Sequence, residues 1–254
     1  MKLSIVIPCY NERETIAECL VRVVAALPEV VKEIVIVDDG SRDGTRDWLV
    51  RHAALAGTAC ALEIDERGDL RVVPGPGREF ALRVVLHERN RGKGGALQTG
   101  FETVSGEVVV IQDADLEYDP DDWRTMYELI AVKRVADVVF GSRFYGRPHR
   151  ALYFHHFLAN RVISLLFDAL YDQTLTDIEV CYKMFTREVL ADLRLSANDF
   201  GIEVQMSAQM ALARKWRIYE LGISYYGRTY AEGKKINWKD GVKALWYLVK
   251  YRFA

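Results

Sequence analysis

Two aspartates one residue apart, Asp113 and Asp115, follow the apolar stretch from Val108 to Gln112. Alternate carboxylates leaving a strand can converge on one hard cation, and Mg²⁺ or Mn²⁺ takes such oxygens and completes its shell with substrate phosphates and water. A dication across a diphosphate neutralises charge building on a leaving nucleotide, which is Lewis-acid help to departure. A second stretch, Gly92-Lys93-Gly94-Gly95, opens a helical segment and sets an ammonium beside permissive backbone, which suits phosphate. Lys93 is followed by Gly rather than the Ser or Thr of a Walker A loop, and the first strand-to-helix turn has no GxGxxG. A P-loop NTPase and a nicotinamide dehydrogenase therefore lose their signatures. An Asp-rich turn ahead of Pro120 and a purely structural glycine turn are the plainer accounts of the two stretches.

Such residues work only if the chain brings them to one place. The first half alternates apolar runs with helical periodicity: strands over Lys2–Ile7, Glu33–Val37, Ala81–His87, Glu107–Gln112 and Ala136–Gly141, and helices over Glu12–Leu27, Asp43–Ala56, Gly94–Val104 and Asp121–Val135. Asn11 and Glu14 are spaced like a capping box for the first helix. The alternation predicts an α/β fold with a mostly parallel central sheet flanked by helices, and ligands of such sheets gather at the carboxyl ends of the strands. Those ends read Pro8-Cys-Tyr10-Asn-Glu12, Asp38-Asp39-Gly-Ser41, Asn90-Arg-Gly-Lys93 and Asp113-Ala-Asp115. Residues 59–80 break the pattern with Glu-Arg-Gly-Asp and Pro-Gly-Pro-Gly turns and read as a hairpin-like surface insertion. The rest is more helical.

A chain of 254 residues, half of them hydrophobic, can bury a full core, and its net charge of −2 gives no general drive toward nucleic acid. The four cysteines, Cys9, Cys19, Cys60 and Cys181, have no metal-ligand spacing and read as reduced thiols in the cytosol. The first eight residues are too short an apolar run for a signal peptide. Residues 151–171 are long enough to span a bilayer, but His155, His156, Asn160, Arg161 and Asp168 argue for a buried or interfacial helix.

Taken in order, Ile5-Val-Ile-Pro-Cys-Tyr-Asn-Glu12, Glu33-Ile-Val-Ile-Val-Asp-Asp-Gly-Ser41, Asn90-Arg-Gly-Lys-Gly94 and Gln112-Asp-Ala-Asp-Leu-Glu117 resemble the family 2 glycosyltransferases of the Rossmann-like GT-A fold. The resemblance implies an inverting, divalent-metal-dependent hexosyltransferase. Pro8, Tyr10, Glu12 and Asp39 would line its nucleoside pocket with Lys93 beside them, and Asp113, Asp115 and Glu117 would hold Mg²⁺ or Mn²⁺. It also implies one domain over residues 1–236, divided into a nucleotide-sugar and metal half (1–145) and an acceptor half (146–236), then a C-terminal helix (237–254).

Gly141-Ser-Arg143, Thr176-Asp177-Ile-Glu-Val-Cys-Tyr-Lys183, Gly201-Ile-Glu203 and Arg228-Thr-Tyr-Ala-Glu-Gly-Lys-Lys-Ile236 resemble the branch that transfers sugars to polyprenyl or dolichyl phosphate. That likeness implies a UDP- or GDP-hexose donor, with Arg143, Arg161, Arg228 and Lys234 around the acceptor phosphate. A lipid phosphate is already anionic and can attack the sugar C1 directly, needing position and charge screening more than a base. For a hydroxyl acceptor Asp177 is the candidate general base, and Glu203 reads equally as a site residue or as a helix-start carboxylate. Trp238, Val242, Leu245, Trp246, Val249 and Phe253 share a helical face beside Lys239, Lys243 and Lys250, which suits the headgroup region of a cytosolic membrane face or packing against the domain's own sheet. A lipid acceptor also leaves room for a membrane-embedded partner protein. A non-catalytic sugar-nucleotide binder and a nucleotidyltransferase are the readings from other classes.

Overall fold

The structure is a computed structural model describing residues 1–146, 148–151, 153–229 and 238–253, with the side chains of 238–240 excepted. Valine and isoleucine dominate the strands β1 (Leu3–Cys9), β2 (Lys32–Asp38) and β7 (Val108–Ile111), and nearly all their residues are buried. Runs of that kind belong to a parallel sheet covered on both faces. Between them lie α1 (Ile16–Ala25), α2 (Thr45–Arg51), the short β3 (Ala56–Gly57), the hairpin of β4 (Cys60–Ile64) and β5 (Leu70–Pro74), β6 (Phe80–Leu86) and α3 (Gly92–Thr103). After β7 come α4 (Trp123–Tyr127), which continues as a π-helical turn, β8 (Val138–Ser142), α5 (Phe154–Tyr171), β9 (Lys183–Thr186), α6 (Arg187–Asp192), α7 (Gly201–Leu212), β10 (Ile218–Gly222) and α8 (Trp238–Phe253).

The main sheet runs β10-β8-β9-β7-β1-β2-β6-β3, with β9 antiparallel to both of its neighbours and β3 antiparallel to β6. Register pairs Leu3 with Lys32 and Cys9 with Asp38, and it sets Val6 beside Ile111, so the carboxyl ends of β1, β2 and β7 open on one side. The mixed α/β architecture expected from the alternation is present. So is the hairpin within 59–80, which buries Cys60, Leu62 and Leu70 against the domain.

Three local readings need correction. The first helix begins at Ile16 without a side-chain cap. Asn11 instead sits at φ 54 and its side chain accepts from Arg42 N at 2.8 Å, tying the first loop to the second. β9 and β10 lie in the half read as mainly helical; β9 is four residues long and β10 is only partly buried, so neither carries the alternating pattern that marks a longer strand. Finally, α8 packs on α5 and α7 rather than on the sheet. Ala244, Leu248 and Tyr251 are buried there, while Lys243 bonds Asp199 at 3.2 Å and the Lys250 ammonium lies 4.8 Å from the Trp246 ring centre, so these lysines are not a free stripe. Among the described residues no helix is long and apolar enough to cross a membrane.

Candidate functional site

The strand ends open into a cleft of about 1100 Å³ lined by Pro8, Tyr10, Glu12, Asp39, Lys93, Asp113, Asp115, Glu117, Arg143, Glu203 and Arg228, among others. Residues read singly from the sequence are therefore brought together. Asp39 sits at the end of β2 with one oxygen 2.7 Å from His87 Nδ1 and 2.8 Å from Arg91 N, and the other 2.8 Å from Gly92 N. Those contacts brace the loop that launches α3, so Asp39 shapes the pocket wall as well as lining it.

The glycines of that loop have a packing reason. Gly92 holds φ +84, and a Cβ on Gly94 would lie 2.1 Å from the Ala197 carbonyl oxygen. Gly95 N donates to Asn198 O at 3.2 Å, which fastens the 197–198 segment to the start of α3. Gly94→Ala is expected to cost about 1–3 kcal/mol by overpacking. Differential scanning calorimetry should show it as a Tm lower by roughly 2–12 °C.

Lys93 projects from the first turn of α3. Its ammonium lies 2.8 Å from Asp113 Oδ1, 3.4 Å from Glu203 Oε1 and 2.7 Å from Cys181 Sγ. Burial alone would lower its pKa, but Asp113, Cys181 and Glu203 hold it well above the usual lysine value. Burial likewise works to raise Asp113, and Lys93 with the Cys181 thiol outweighs it, leaving that carboxyl below its ordinary value. Asp115 has no such relief. Burial, then Asp113 and Glu117, push it up to about 7 against the opposing pull of Arg228.

Arg228 reaches across from the chain after β10. Its Nη2 is 2.9 Å from Asp115, its Nε 3.2 Å from Glu117 and its Nη1 3.8 Å from Glu12. Tyr225 adds a hydroxyl donated to Glu117 at 2.9 Å. The three-carboxylate metal set of Asp113, Asp115 and Glu117 is not formed: among the described residues no group of three His, Cys, Asp or Glu side chains is arranged to hold an ion. The physical reason is on view, since Lys93 occupies Asp113 and Arg228 occupies the other two. The donor set still suits Mg²⁺ or Mn²⁺, which need one or two carboxylates and substrate phosphates rather than a protein cage. Among the described residues eight carboxylates and four ammonium or guanidinium groups line the cleft, an imbalance that a dication relieves.

On the acceptor side Arg143 follows β8 and is gripped by Asp177, whose Oδ2 accepts from Nε at 2.7 Å and from the backbone N at 3.0 Å while Oδ1 accepts from Nη2 at 2.7 Å. Burial would lower the Arg143 pKa, and Asp177 holds it well above the usual value. Asp177 is fully buried and lies behind Arg143 rather than on the cleft wall, so both its oxygens are spent on positioning that guanidinium. The candidate general base for a hydroxyl acceptor is thus paired with Arg143 in this structure. Glu203 is not a dipole-stabilised helix-start carboxylate alone: it takes the Lys183 ammonium at 2.7 Å and that of Lys93 at 3.4 Å. Arg161 is exposed on α5 and does not line the cleft, and Lys234 lies outside the described residues. Sequence reasoning missed Glu179, Cys181, Asn160, His155 and His156, all on the cleft wall. Glu179 and Cys181 stood inside the quoted 176–183 stretch, but no local spacing set them apart.

The fold, with the carboxylate-rich carboxyl end of its sheet, is of the GT-A type. The structure superposes on a crystal structure of glucosyl-3-phosphoglycerate synthase from Mycobacterium tuberculosis with a TM-score of 0.68 and 17% identity, covering 99% of this chain and 81% of that one. A complex of that enzyme with Mn²⁺, UDP and phosphoglyceric acid matches with a TM-score of 0.67. The pattern of glycosyl transferase family 2 matches residues 4–194, and the chain belongs to that family. It is 33% identical to a dolichol-phosphate mannosyltransferase of Pyrococcus furiosus over 144 residues, 57% of this chain and 34% of that protein. It is also 25% identical over 235 residues to an undecaprenyl-phosphate 4-deoxy-4-formamido-L-arabinose transferase of Salmonella paratyphi A, 92% of this chain and 62% of that protein. The chain thus spans between about a third and three-fifths of the length of these curated relatives.

Proposed function

We propose that this protein transfers a hexose from a UDP- or GDP-linked donor to a polyprenyl phosphate, with inversion at C1, at the cytosolic face of a membrane. The strand ends of residues 1–145 serve the nucleoside diphosphate, and the acceptor lies toward Arg143 and the helices that follow it. The observation that carries the reading is the composition of the cleft's lining. The same cleft that holds Arg143 and Arg228 is also lined by Leu158, Val162 and Ile163 of α5 and Val242, Ala244 and Leu245 of α8, interleaved with His155, His156, Asn160 and Lys243. Leu158, Val162, Val242 and Leu245 are also exposed, between 38% and 57%, which puts them at the mouth. A site with guanidinium groups inside and an apolar mouth suits an anionic head on a hydrocarbon tail.

In the proposed reaction a phosphate oxygen of the lipid attacks C1 of the hexose while the bond from C1 to the nucleoside diphosphate breaks, and the diphosphate leaves carrying the electron pair. Asp113 or Asp115 would hold Mg²⁺ or Mn²⁺, which when bound would neutralise charge on that leaving group. Lys93 adds charge at the same end. Arg143, locked in orientation by Asp177, offers its planar fork to the acceptor phosphate. That Asp177 is committed to Arg143 supports a phosphate acceptor over a hydroxyl, because a phosphate monoester dianion needs no proton removed.

The experiment is direct. The protein is incubated with radiolabelled UDP-glucose or GDP-mannose, Mn²⁺ and a short polyprenyl phosphate, and chloroform-soluble label is counted. Label rising with time only when metal and lipid are both present is the expected result; label no higher than a metal-free blank with either donor overturns it.

A further inference from the structure

Two carboxylates on the cleft wall have no task in the transfer just described. Glu203 is 3% exposed, and while Lys183 holds its Oε2 at 2.7 Å, its Oε1 makes no hydrogen bond. Lys93 stands 3.4 Å from that oxygen. With that ion pair but no hydrogen bond, the oxygen keeps part of its desolvation penalty until a ligand supplies a donor. Glu179, in the turn before β9, lines the same cleft and makes no side-chain hydrogen bond among the described residues. Burial, opposed by Arg143 and Lys183 and reinforced by Asp177 and Glu203, pushes its pKa up to about 7.

The chemistry of the missing group follows. Carboxylates take donors and repel phosphates, so neither the diphosphate nor the acceptor head belongs against them. The Pro8, Tyr10 and Asp39 end holds the nucleoside in the reading above. Lys93 touches both Asp113 and Glu203, so this wall begins one side chain from the carboxylates assigned to the diphosphate. The donor part that follows the diphosphate and carries several hydroxyl donors is the sugar. We propose that Glu203 and Glu179 form the sugar-reading wall, accepting hydrogen bonds from hydroxyls of the transferred hexose and excluding sugars that carry a carboxylate. The inference rests on the donor reading of the cleft.

Equilibrium calorimetry of the whole chain with Mn²⁺ tests it, using UDP, UDP-glucose and UDP-glucuronic acid, and in parallel GDP, GDP-mannose and GDP-mannuronic acid. The wild type is expected to bind the hexose donor of one series at least about tenfold more tightly than its uronic acid counterpart. Glu179→Ala should weaken that hexose donor about tenfold while leaving the nucleoside diphosphate within twofold, and Glu179→Gln should narrow the discrimination against the uronic acid. Glu203→Gln is the companion variant, but it strips the buried Lys183 of its partner, so Glu179 carries the test. Equal binding of hexose and uronic acid donors overturns the proposal, as does a Glu179→Ala variant that weakens nucleoside diphosphate and nucleotide sugar alike or changes neither. A wild type that binds neither UDP nor GDP overturns the donor reading itself, and the wall with it.

Discussion

Asp115→Asn is expected to yield a protein that transfers sugar at least about a hundredfold more slowly and yet unfolds at a higher temperature at pH 8. Both effects come from the same crowding. Burial and the neighbouring Asp113 and Glu117 hold Asp115 at about 7, with its side chain 18% exposed and Arg228 as its one ion-pair partner among the described residues. An unfolded aspartate ionises near ~3.9, so the folded state retains the proton across the window from about pH 4 to about pH 7. Wild-type stability therefore falls as pH rises through that window, because the unfolded chain releases the proton first. The amide carries no charge to repel and leaves Arg228 paired with Glu117 at 3.2 Å. After a discount for exposure and for the lost Arg228 contact, the gain at pH 8 is about 1–2 kcal/mol, or roughly 2–8 °C in Tm, and it vanishes near pH 4. Under the proposed function, activity falls because the carboxylate crowding that strains the fold is also what a dication would relieve. Thermal melts at pH 4, 6 and 8 beside the transfer assay check both halves; a variant that is active, or destabilised at pH 8, contradicts the account.

That trade explains what the sequence made legible here. Asp113 and Asp115 could be found because both stand within a few residues of one buried strand end, and Pro8, Tyr10 and Asp39 because parallel strands bring their carboxyl ends to one side. What neutralises them could not be found. Arg228 meets Asp115 across 113 residues, and Glu203 reaches Lys183 and Lys93 from separate elements, pairings that depend on tertiary packing. Asp177 shows the same limit from the other side: a carboxylate in a promising stretch reads as a base until Arg143 is seen to occupy both its oxygens. Asn11 looked like a helix cap, and the chain used it to hold the Arg42 loop instead. β9 escaped detection because four residues, Lys183 to Thr186, are too few to establish a period, and its antiparallel place between β7 and β8 is fixed by partners far away in sequence.

The apolar mouth leads to the second large effect. Outside the cleft, α5 exposes Phe154 at 72% and Leu165 at 69%, and α8 exposes Trp246 at 57%, Val249 at 54% and Phe253 at 77%. Within each helix these positions recur at the spacing of one face. The two helices pack on each other, and both contribute other residues to the cleft lining. Seating such side chains in the boundary between headgroups and acyl chains gains about 1.5–3 kcal/mol for each that is fully buried. A double variant, Leu165→Asp with Trp246→Glu, exchanges two of those gains for charges in a low-dielectric layer while altering residues that do not line the cleft. Sedimentation with vesicles of phosphatidylglycerol and phosphatidylethanolamine is expected to fall by at least about a hundredfold in partition coefficient. Transfer to long-chain polyprenyl phosphate embedded in those vesicles should fall with it. Transfer to a short polyprenyl phosphate dissolved in detergent should stay within about twofold of wild type, because the carboxylate end, Arg143 and the mouth residues Leu158 and Val242 are untouched. Loss of both activities together would assign these side chains to the fold, and undiminished sedimentation would remove the membrane from this face.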